Sequence, residues 1–177
     1  SIDTWRSGVA ERACRAGASI VNDISGGTMD EKMFATVAHL GVPYVLMHIN
    51  GTPENMQKNP QYNNVVTDVY DFFNERISIL HRLGLHHIII DPGFGFGKSL
   101  EHNYLLLNKL SFFKSLGCPI LAGLSRKSMI NKVLGTTPED ALNGATVLNT
   151  IALINGANIL RVHDVKEAVE AIKIFNF

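Results

Sequence analysis

Ile88-Ile89-Ile90-Asp91-Pro92-Gly93-Phe94-Gly95-Phe96-Gly97-Lys98 decides how the rest of this chain is read. Three consecutive β-branched residues predict a strand buried on both faces, as in a parallel sheet. The strand stops at a carboxylate, a proline and a glycine-rich turn through which no strand continues. An Asp at the tip of so apolar a strand is costly to bury and needs a partner. The same grammar recurs elsewhere. Ser19-Ile20-Val21 precedes Asn22-Asp23, Tyr44-Val45-Leu46-Met47 precedes His48, and Ile120-Leu121-Ala122-Gly123-Leu124 precedes Ser125-Arg126-Lys127. Ile159-Leu160 precedes Arg161-Val162-His163-Asp164, and the first strand reaches its polar tip, Asp3, after two residues.

Helical patterns separate these strands. Thr28-Met29-Asp30-Glu31 reads as a capping box for a helix stopping at Gly41. A longer helix is predicted from about Asn64 to Gly84, with Val65, Val69, Phe72, Phe73, Ile77 and Leu80 on helical spacing, and another from Ser99 to Gly117. Thr137-Pro138-Glu139-Asp140 supplies a cap with proline at the first helical position of a helix ending near Gly156. Asp164, with Glu167 three residues on, reads as the cap of the last helix. Strand–helix alternation implies a parallel sheet with right-handed crossovers.

Polar tips on every strand favour a closed barrel over an open sheet, which concentrates its ligand at one switch point. The expected fold is therefore α/β, a parallel (β/α) TIM barrel. A full barrel has eight units and usually about 250 residues. Six units are legible in 177 residues. The expectation is a single domain, 1–177, lacking the first two strand–helix units, with open edges at the Ile2 and Ile159 strands.

Composition narrows the class. Sixteen basic residues balance sixteen acidic ones, so no global charge favours nucleic acid or an anionic membrane, and any anion site must be local. Hydrophobic content of 46% with 18% charged residues is that of a globular chain. Cys14 and Cys118 form no CxxC or Cys-His cluster; two buried free thiols fit a reducing, cytoplasmic compartment. The longest apolar tract, Ala145 to Leu160, is broken by Asn149, Asn155, Gly156 and Asn158, so no membrane span is expected.

The chemistry-bearing residues fall into two clusters. Gly97-Lys98-Ser99 looks like the end of a phosphate-binding G-x-x-x-x-G-K-[ST] loop, but the first glycine of that pattern would be Pro92, which has no N–H to offer. What remains is Asp91 on a rigid turn, with Phe94 and Phe96 suited either to covering a flat ligand or to anchoring the loop in the core. Asp3, Asn22 and Asp91, at three strand tips, can together match a nitrogen-rich heterocycle, since carboxylates accept from ring N–H and NH₂ groups while an amide does both. Asp23 and Asp164 read instead as caps. The second cluster is basic: Ser125-Arg126-Lys127-Ser128 lies where a strand turns into a helix and can face an anion or carbonyl. Arg161 and His163 alternate, so both point the same way; Arg161 on a buried strand would not be tolerated unpaired. His48 suits a structural or a ligand role equally. His86-His87, the acids of residues 68–75 and Trp5 suggest no function: the first two are solvated faces, and Trp5 is helix-start packing.

These segments resemble the dihydropteroate synthase family. The resemblance rests on Ser1-Ile2-Asp3-Thr4, Val21-Asn22-Asp23-Ile24, Leu46-Met47-His48, Ile90 through Lys98, Gly123-Leu124-Ser125-Arg126-Lys127-Ser128-Met129 and Arg161-Val162-His163-Asp164, in the family's order. It implies a TIM barrel that joins 6-hydroxymethyl-7,8-dihydropterin diphosphate to 4-aminobenzoate, with Mg²⁺ assisting departure of diphosphate. On this resemblance Asp3, Asn22, Ile24, Met47, Asp91, Gly123 and Lys127 hold the pterin, and Asp3 and Lys127 act catalytically. Arg161 and His163 hold the diphosphate, while Phe96, Lys127 and Ser128 border the 4-aminobenzoate slot where sulfonamides compete. Protein ligands to magnesium are expected in an N-terminal part of the family that this sequence does not match, and a homodimer through barrel helices is implied. Two alternatives are a non-catalytic pterin-binding module and a pterin-dependent methyltransferase-like barrel.

Overall fold

A computed structural model describes residues 1–56, 58 and 60–177. Among these described residues six short strands form: β1 (Ile2–Asp3), β2 (Val21–Asp23), β3 (Tyr44–Met47), β4 (Ile88–Asp91), β5 (Leu121–Ala122) and β6 (Ile159–Leu160). Seven α-helices accompany them: α1 (Ser7–Arg15), α2 (Met33–Leu40), α3 (Val65–Arg82), α4 (Leu100–Asn108), α5 (Ser128–Leu134), α6 (Leu142–Ile154) and α7 (Val165–Phe175). Every strand pairing is parallel, and β1 to β4 lie side by side in chain order. A parallel bridge between Ile90 and Ile120 carries the sheet across to β5, which pairs with β6. Strictly sequential order without a reversal is barrel topology, since a doubly wound sheet must turn back at a switch point. Among the described residues, β1 and β6 are the two ends of this six-stave arc.

The core explains the strand sequences. Val21, Tyr44, Leu46, Ile88 and Ile90 on one face, and Val45 and Met47 on the other, are buried, so the central strands need apolar residues on both faces. Phe73 on α3 meets Phe113 edge-to-face with ring centres 6.0 Å apart, and each fully buried ring contributes roughly 1.5–3 kcal/mol. Register places the polar ends together: Asp3 stands opposite Asn22, and Met47 opposite Asp91. Residues paired across a parallel ladder project from the same face, so these tips share one rim.

Several helix ends differ from the sequence reading. Asn64 does cap α3, accepting from the backbone N–H groups of Val66 and Thr67. The expected box at Thr28–Glu31 does not form. Asp30 accepts from the Ser7 and Lys32 N–H groups, tying α1 to the α2 approach, and α2 begins uncapped by side chains at Met33. The helix after Ser99 ends at Asn108 and tightens into a 3₁₀ segment, Leu110–Leu116. Ser99 and His102 form a capping box there, with imidazole replacing the usual Glu or Gln. Thr137–Asp140 closes a separate turn ahead of α6, joined by Thr137 Oγ1 to Asp140. Trp5 is 37% exposed and therefore not buried packing mass. The two cysteines are free and only half buried.

Candidate active site

At the carboxyl ends of the strands lies a cleft of about 410 Å³ lined by Asp3, Ile24, Met47, Asp91, Phe96, Gly123, Ser125, Lys127, Arg161 and His163. Seven of these ten stand in the polar strand tips and loops singled out from sequence for their chemistry; Ile24, Met47 and Gly123 enter through the family resemblance. Asp91 caps β4. Its Oδ1 accepts from the Gly93 N–H at 2.8 Å, a bond made possible by the tight turn at Gly93. Burial raises its pKa above the ordinary carboxylate value, while Lys127 foremost, then the Gly93 N–H, Lys98 and Arg161 favour the charged form. A buried acceptor with cations beside it is suited to receive N–H groups from a ring.

Lys127 comes from the β5–α5 junction. Its ammonium donates to the Phe94 carbonyl and lies 5.0 Å from the centre of the Phe96 ring. Burial lowers its pKa, and Asp91 opposes that shift. Gly123 leaves the floor open: a Cβ there would come 3.9 Å from Arg161 Cβ and 3.9 Å from Lys127 Nζ. Phe96 stands over the cleft, whereas Phe94 is wholly buried and anchors the loop. Asn22 is buried behind the rim, and its side-chain Nδ2 has no hydrogen-bond partner. An orphaned buried donor beside Asp3 is costly unless a ligand accepts from it.

The basic half differs in detail from expectation. Arg161 lies just past β6 rather than on a buried strand. Its guanidinium is half exposed and donates to Asp3 at 2.6 Å. His163 leans on Ser125: its backbone N–H donates to Ser125 Oγ at 3.2 Å, and its Nδ1 lies 3.2 Å from the same oxygen. Arg126 turns away from the cleft and forms a two-pronged bond to Asp164 at 3.1 and 2.6 Å. Asp164 thus serves an ion pair and makes no side-chain cap to α7. Asp23 is likewise no helix cap. It accepts from Ser25 N–H, Ser25 Oγ, Gly27 N–H and the Tyr44 hydroxyl, fixing the loop that carries Ile24. Ser128 is exposed and lies outside the cleft, in a shallow hollow with Gly95, Lys98, Asn103 and Lys132.

Two groups of the site, Asn103 and Lys98, escaped sequence reading. Ser125 was legible only as part of its motif. Asn103, from α4, accepts the Gly95 N–H at 2.6 Å and donates to the Ser99 carbonyl at 2.6 Å, clamping the glycine loop. Lys98 is 4% exposed, and its ammonium lies 3.0 Å from His48 Nδ1, the Gly93 carbonyl and the Phe96 carbonyl. This arrangement also decides His48 in favour of a structural bond.

The family profile described as pterin binding enzyme matches residues 1–163. The chain belongs to the pterin-binding enzyme family. Family relatives include the dihydropteroate synthase of Escherichia coli K12, 41% identical over 176 residues, covering 98% of this chain. That of Bacillus subtilis is 38% identical over 178 residues, covering 99% of this chain. The chain spans 62% and 60% of the length of these two relatives. Among solved family structures, the Yersinia pestis dihydropteroate synthase in a sulfonamide drug complex superposes with a TM-score of 0.94 at 40% identity, covering 98% of this chain and 64% of that one. The Xanthomonas albilineans enzyme in complex with 7,8-dihydropteroate superposes with a TM-score of 0.90 at 38% identity, with the same coverages. The parallel (β/α) barrel expected from sequence is the fold these family members share with the chain.

Proposed function

We propose that the cleft binds a pterin diphosphate and 4-aminobenzoate, and that the protein forms 7,8-dihydropteroate with release of diphosphate. The observation that carries this reading is the convergence, in one cleft, of buried Asp91 and half-buried Lys127 with rim Asp3, Arg161 and His163. Asp91, Asp3 and Asn22 offer the acceptors and amide that a pterin edge requires, with Ile24 and Met47 as apolar walls. Arg161 and His163 supply donors for the diphosphate. Phe96 and Lys127 border the space left for 4-aminobenzoate. Ser128, outside the cleft, would reach that substrate only after the loop moves.

In this reading the bond from the pterin methylene carbon to the diphosphate oxygen breaks with both electrons leaving on oxygen. The cation left behind is delocalised into the ring and stabilised by Asp3 and Asp91, while Arg161 and His163 stabilise the departing charge. The neutral arylamine then attacks the methylene and loses a proton, and its main requirement is position. Among the described residues no group of three or more His, Cys, Asp or Glu could hold a metal ion. Mg²⁺ enters this proposal as the counter-ion carried by the diphosphate substrate.

The same proposal treats residues 1–177 as one domain, supported by a continuous core from Ala10 to Ala157. It takes the protein to act in the cytoplasm: two free cysteines fit a reducing compartment, and among the described residues no helix is long and apolar enough to cross a membrane. The partner is a second copy, supported by an apolar groove between α6 and α7, where Ile154 and Ile174 are 66% and 79% exposed.

A dihydropteroate-forming assay with both substrates and Mg²⁺, run beside calorimetry with the pterin alone, tests the function. Product supports the synthase. Binding without product supports a pterin-binding module, and transfer of a methyl group instead would favour the methyltransferase-like alternative. Absence of pterin binding overturns the reading.

A further inference from the structure

Lys98 does not line the cleft, yet it is among the most buried charged side chains in the chain. Its ammonium meets three acceptors at 3.0 Å: His48 Nδ1, the Gly93 carbonyl and the Phe96 carbonyl, with the His48 carbonyl at 3.4 Å. These acceptors sit on two segments, the end of β3 and the glycine-rich loop after β4. Two of them belong to residues that shape the cleft directly. Gly93 donates its N–H to Asp91 Oδ1, and Phe96 carries the ring that lies against Lys127.

We propose that Lys98 is a positioning residue for ring binding: its ammonium gathers His48, Gly93 and Phe96 onto one point and so fixes both the Asp91 carboxylate and the Phe96 ring in the cleft. The assignment rests on the reading of this cleft as the pterin site. A purely apolar side chain could fill the same space but would leave the Phe96 carbonyl and the His48 Nδ1 without this donor, and the Gly93 carbonyl with only the Phe96 N–H, which costs more than losing ordinary exposed bonds. The charge matters as well. It lies near Asp91 and favours the ionised carboxylate, the form that accepts from a ring N–H.

The titratable groups around it are few. Asp91 favours the protonated lysine and Lys127 disfavours it. His48 stays neutral, held far below its usual range by burial, by Lys98 and by Arg76, which reaches it from α3. Tyr62 packs its ring 6.0 Å from His48, with its phenol pushed up to about 12. Burial brings the Lys98 ammonium down to about 7. The cage therefore loses its third donor and its charge as pH rises through that value.

The test measures the affinity of 6-hydroxymethylpterin for the chain by calorimetry, between pH 6 and 9, together with thermal unfolding. Unsubstituted chain should bind more weakly as pH rises through about 7. Lys98→Met should bind roughly ten- to a hundredfold more weakly at pH 6 and show no step near 7. Should the methionine variant fail to fold, Lys98→Gln keeps an NH₂ group to donate without the charge and carries the same expectation, and the unsubstituted pH profile stands by itself. A folded Lys98 variant with unchanged affinity and an unsubstituted profile flat across this range would overturn the positioning role. Failure of the unsubstituted chain to bind the pterin at every pH would instead overturn the assignment of the cleft, and the two failures are therefore distinct.

Discussion

Arg161 and Asp3, 158 positions apart in the chain, meet at 2.6 Å across the mouth of the cleft. One follows the last strand and the other ends the first, so this ion pair joins the two open ends of the barrel arc. Both side chains are about half exposed, at 52% and 53%, and a pair so well solvated contributes only about 0–1 kcal/mol to folding. Its importance lies in competition. Arg161 cannot give all of its donors to a diphosphate while it serves Asp3.

Arg161→Ala should therefore leave the melting temperature nearly unchanged and weaken a diphosphate-bearing pterin by about tenfold or more, while a pterin without the diphosphate binds as before. Paired calorimetric titrations with the two ligands check this. Equal losses for both would show that Arg161 contacts the ring or acts only through Asp3.

Asp91→Asn is expected to separate stability from binding. The carboxylate is held charged in a buried place that raises its pKa, so above that pKa its charge costs folding free energy rather than supplying it. The amide removes the cost while keeping a group for the Gly93 N–H. Unfolding in urea should show equal or higher stability, and pterin affinity should fall by roughly 1.5–3 kcal/mol, the worth of a hydrogen bond to a charged acceptor. A variant as tight as the unsubstituted chain would remove Asp91 from the ring site.

Alkaline stability should follow a rise and then a fall. Lys98, at about 7, and Lys127, lowered in the same direction, bind fewer protons folded than unfolded up to the ordinary lysine value of 10.5, so stability increases with pH across that window. Tyr44, raised well above 10, and Tyr62, raised to about 12, reverse the sign: above 10 the unfolded phenols lose protons first and stability declines. Melting temperatures from pH 6 to 11 should trace this dome, and Lys98→Met should flatten its rising side. A rising limb of unchanged slope in that variant would show that Lys98 contributes nothing to it.

Two glycines in one loop should respond very differently to alanine. Both Gly93 and Gly95 have positive φ, at 69° and 81°, a conformation that costs an alanine about 1 kcal/mol or more. At Gly93 an added Cβ would collide with the His48 carbonyl, so Gly93→Ala should exceed about 3 kcal/mol and displace the loop. At Gly95 the nearest atom would be Lys127 Cδ at 3.4 Å, an ordinary contact, so Gly95→Ala should cost about 1–2 kcal/mol. Urea unfolding of the two variants measures the difference directly, and similar costs would mean that the His48 contact is not what constrains Gly93.

What sequence made legible, and what it hid, follows from the range of the forces involved. The six strands were readable because two-sided burial forces runs such as Tyr44–Met47 and Ile88–Ile90 to be apolar, and their polar tips were readable because the run simply stops. Asp164 looked like a cap because only its neighbours could be weighed, whereas its partner, Arg126, lies 38 positions away. Asp23 was misread for the same reason: the Tyr44 hydroxyl that it binds comes from the next strand. Lys98 was set aside with a failed phosphate-loop pattern because nothing local indicates that a lysine will find three acceptors in the core. The glycine loop announced that it was special but not that its own lysine held it in shape. Ser128 shared a motif with Lys127, but the helix start turns consecutive side chains apart, and only one of them enters the cleft.

Because its rim joins Asp3 to Arg161, 158 positions away, the mouth of this cleft closes only once the strands between them have found their places. Loop closure over so long a span is paid late in folding, after the local β3–β4 wall is already worth forming. A molecule in which Asp3 and Arg161 have not yet met has its deep carboxylate, Asp91, but an unfinished rim. The pairing of these two side chains then reports that the arc of strands between them has assembled.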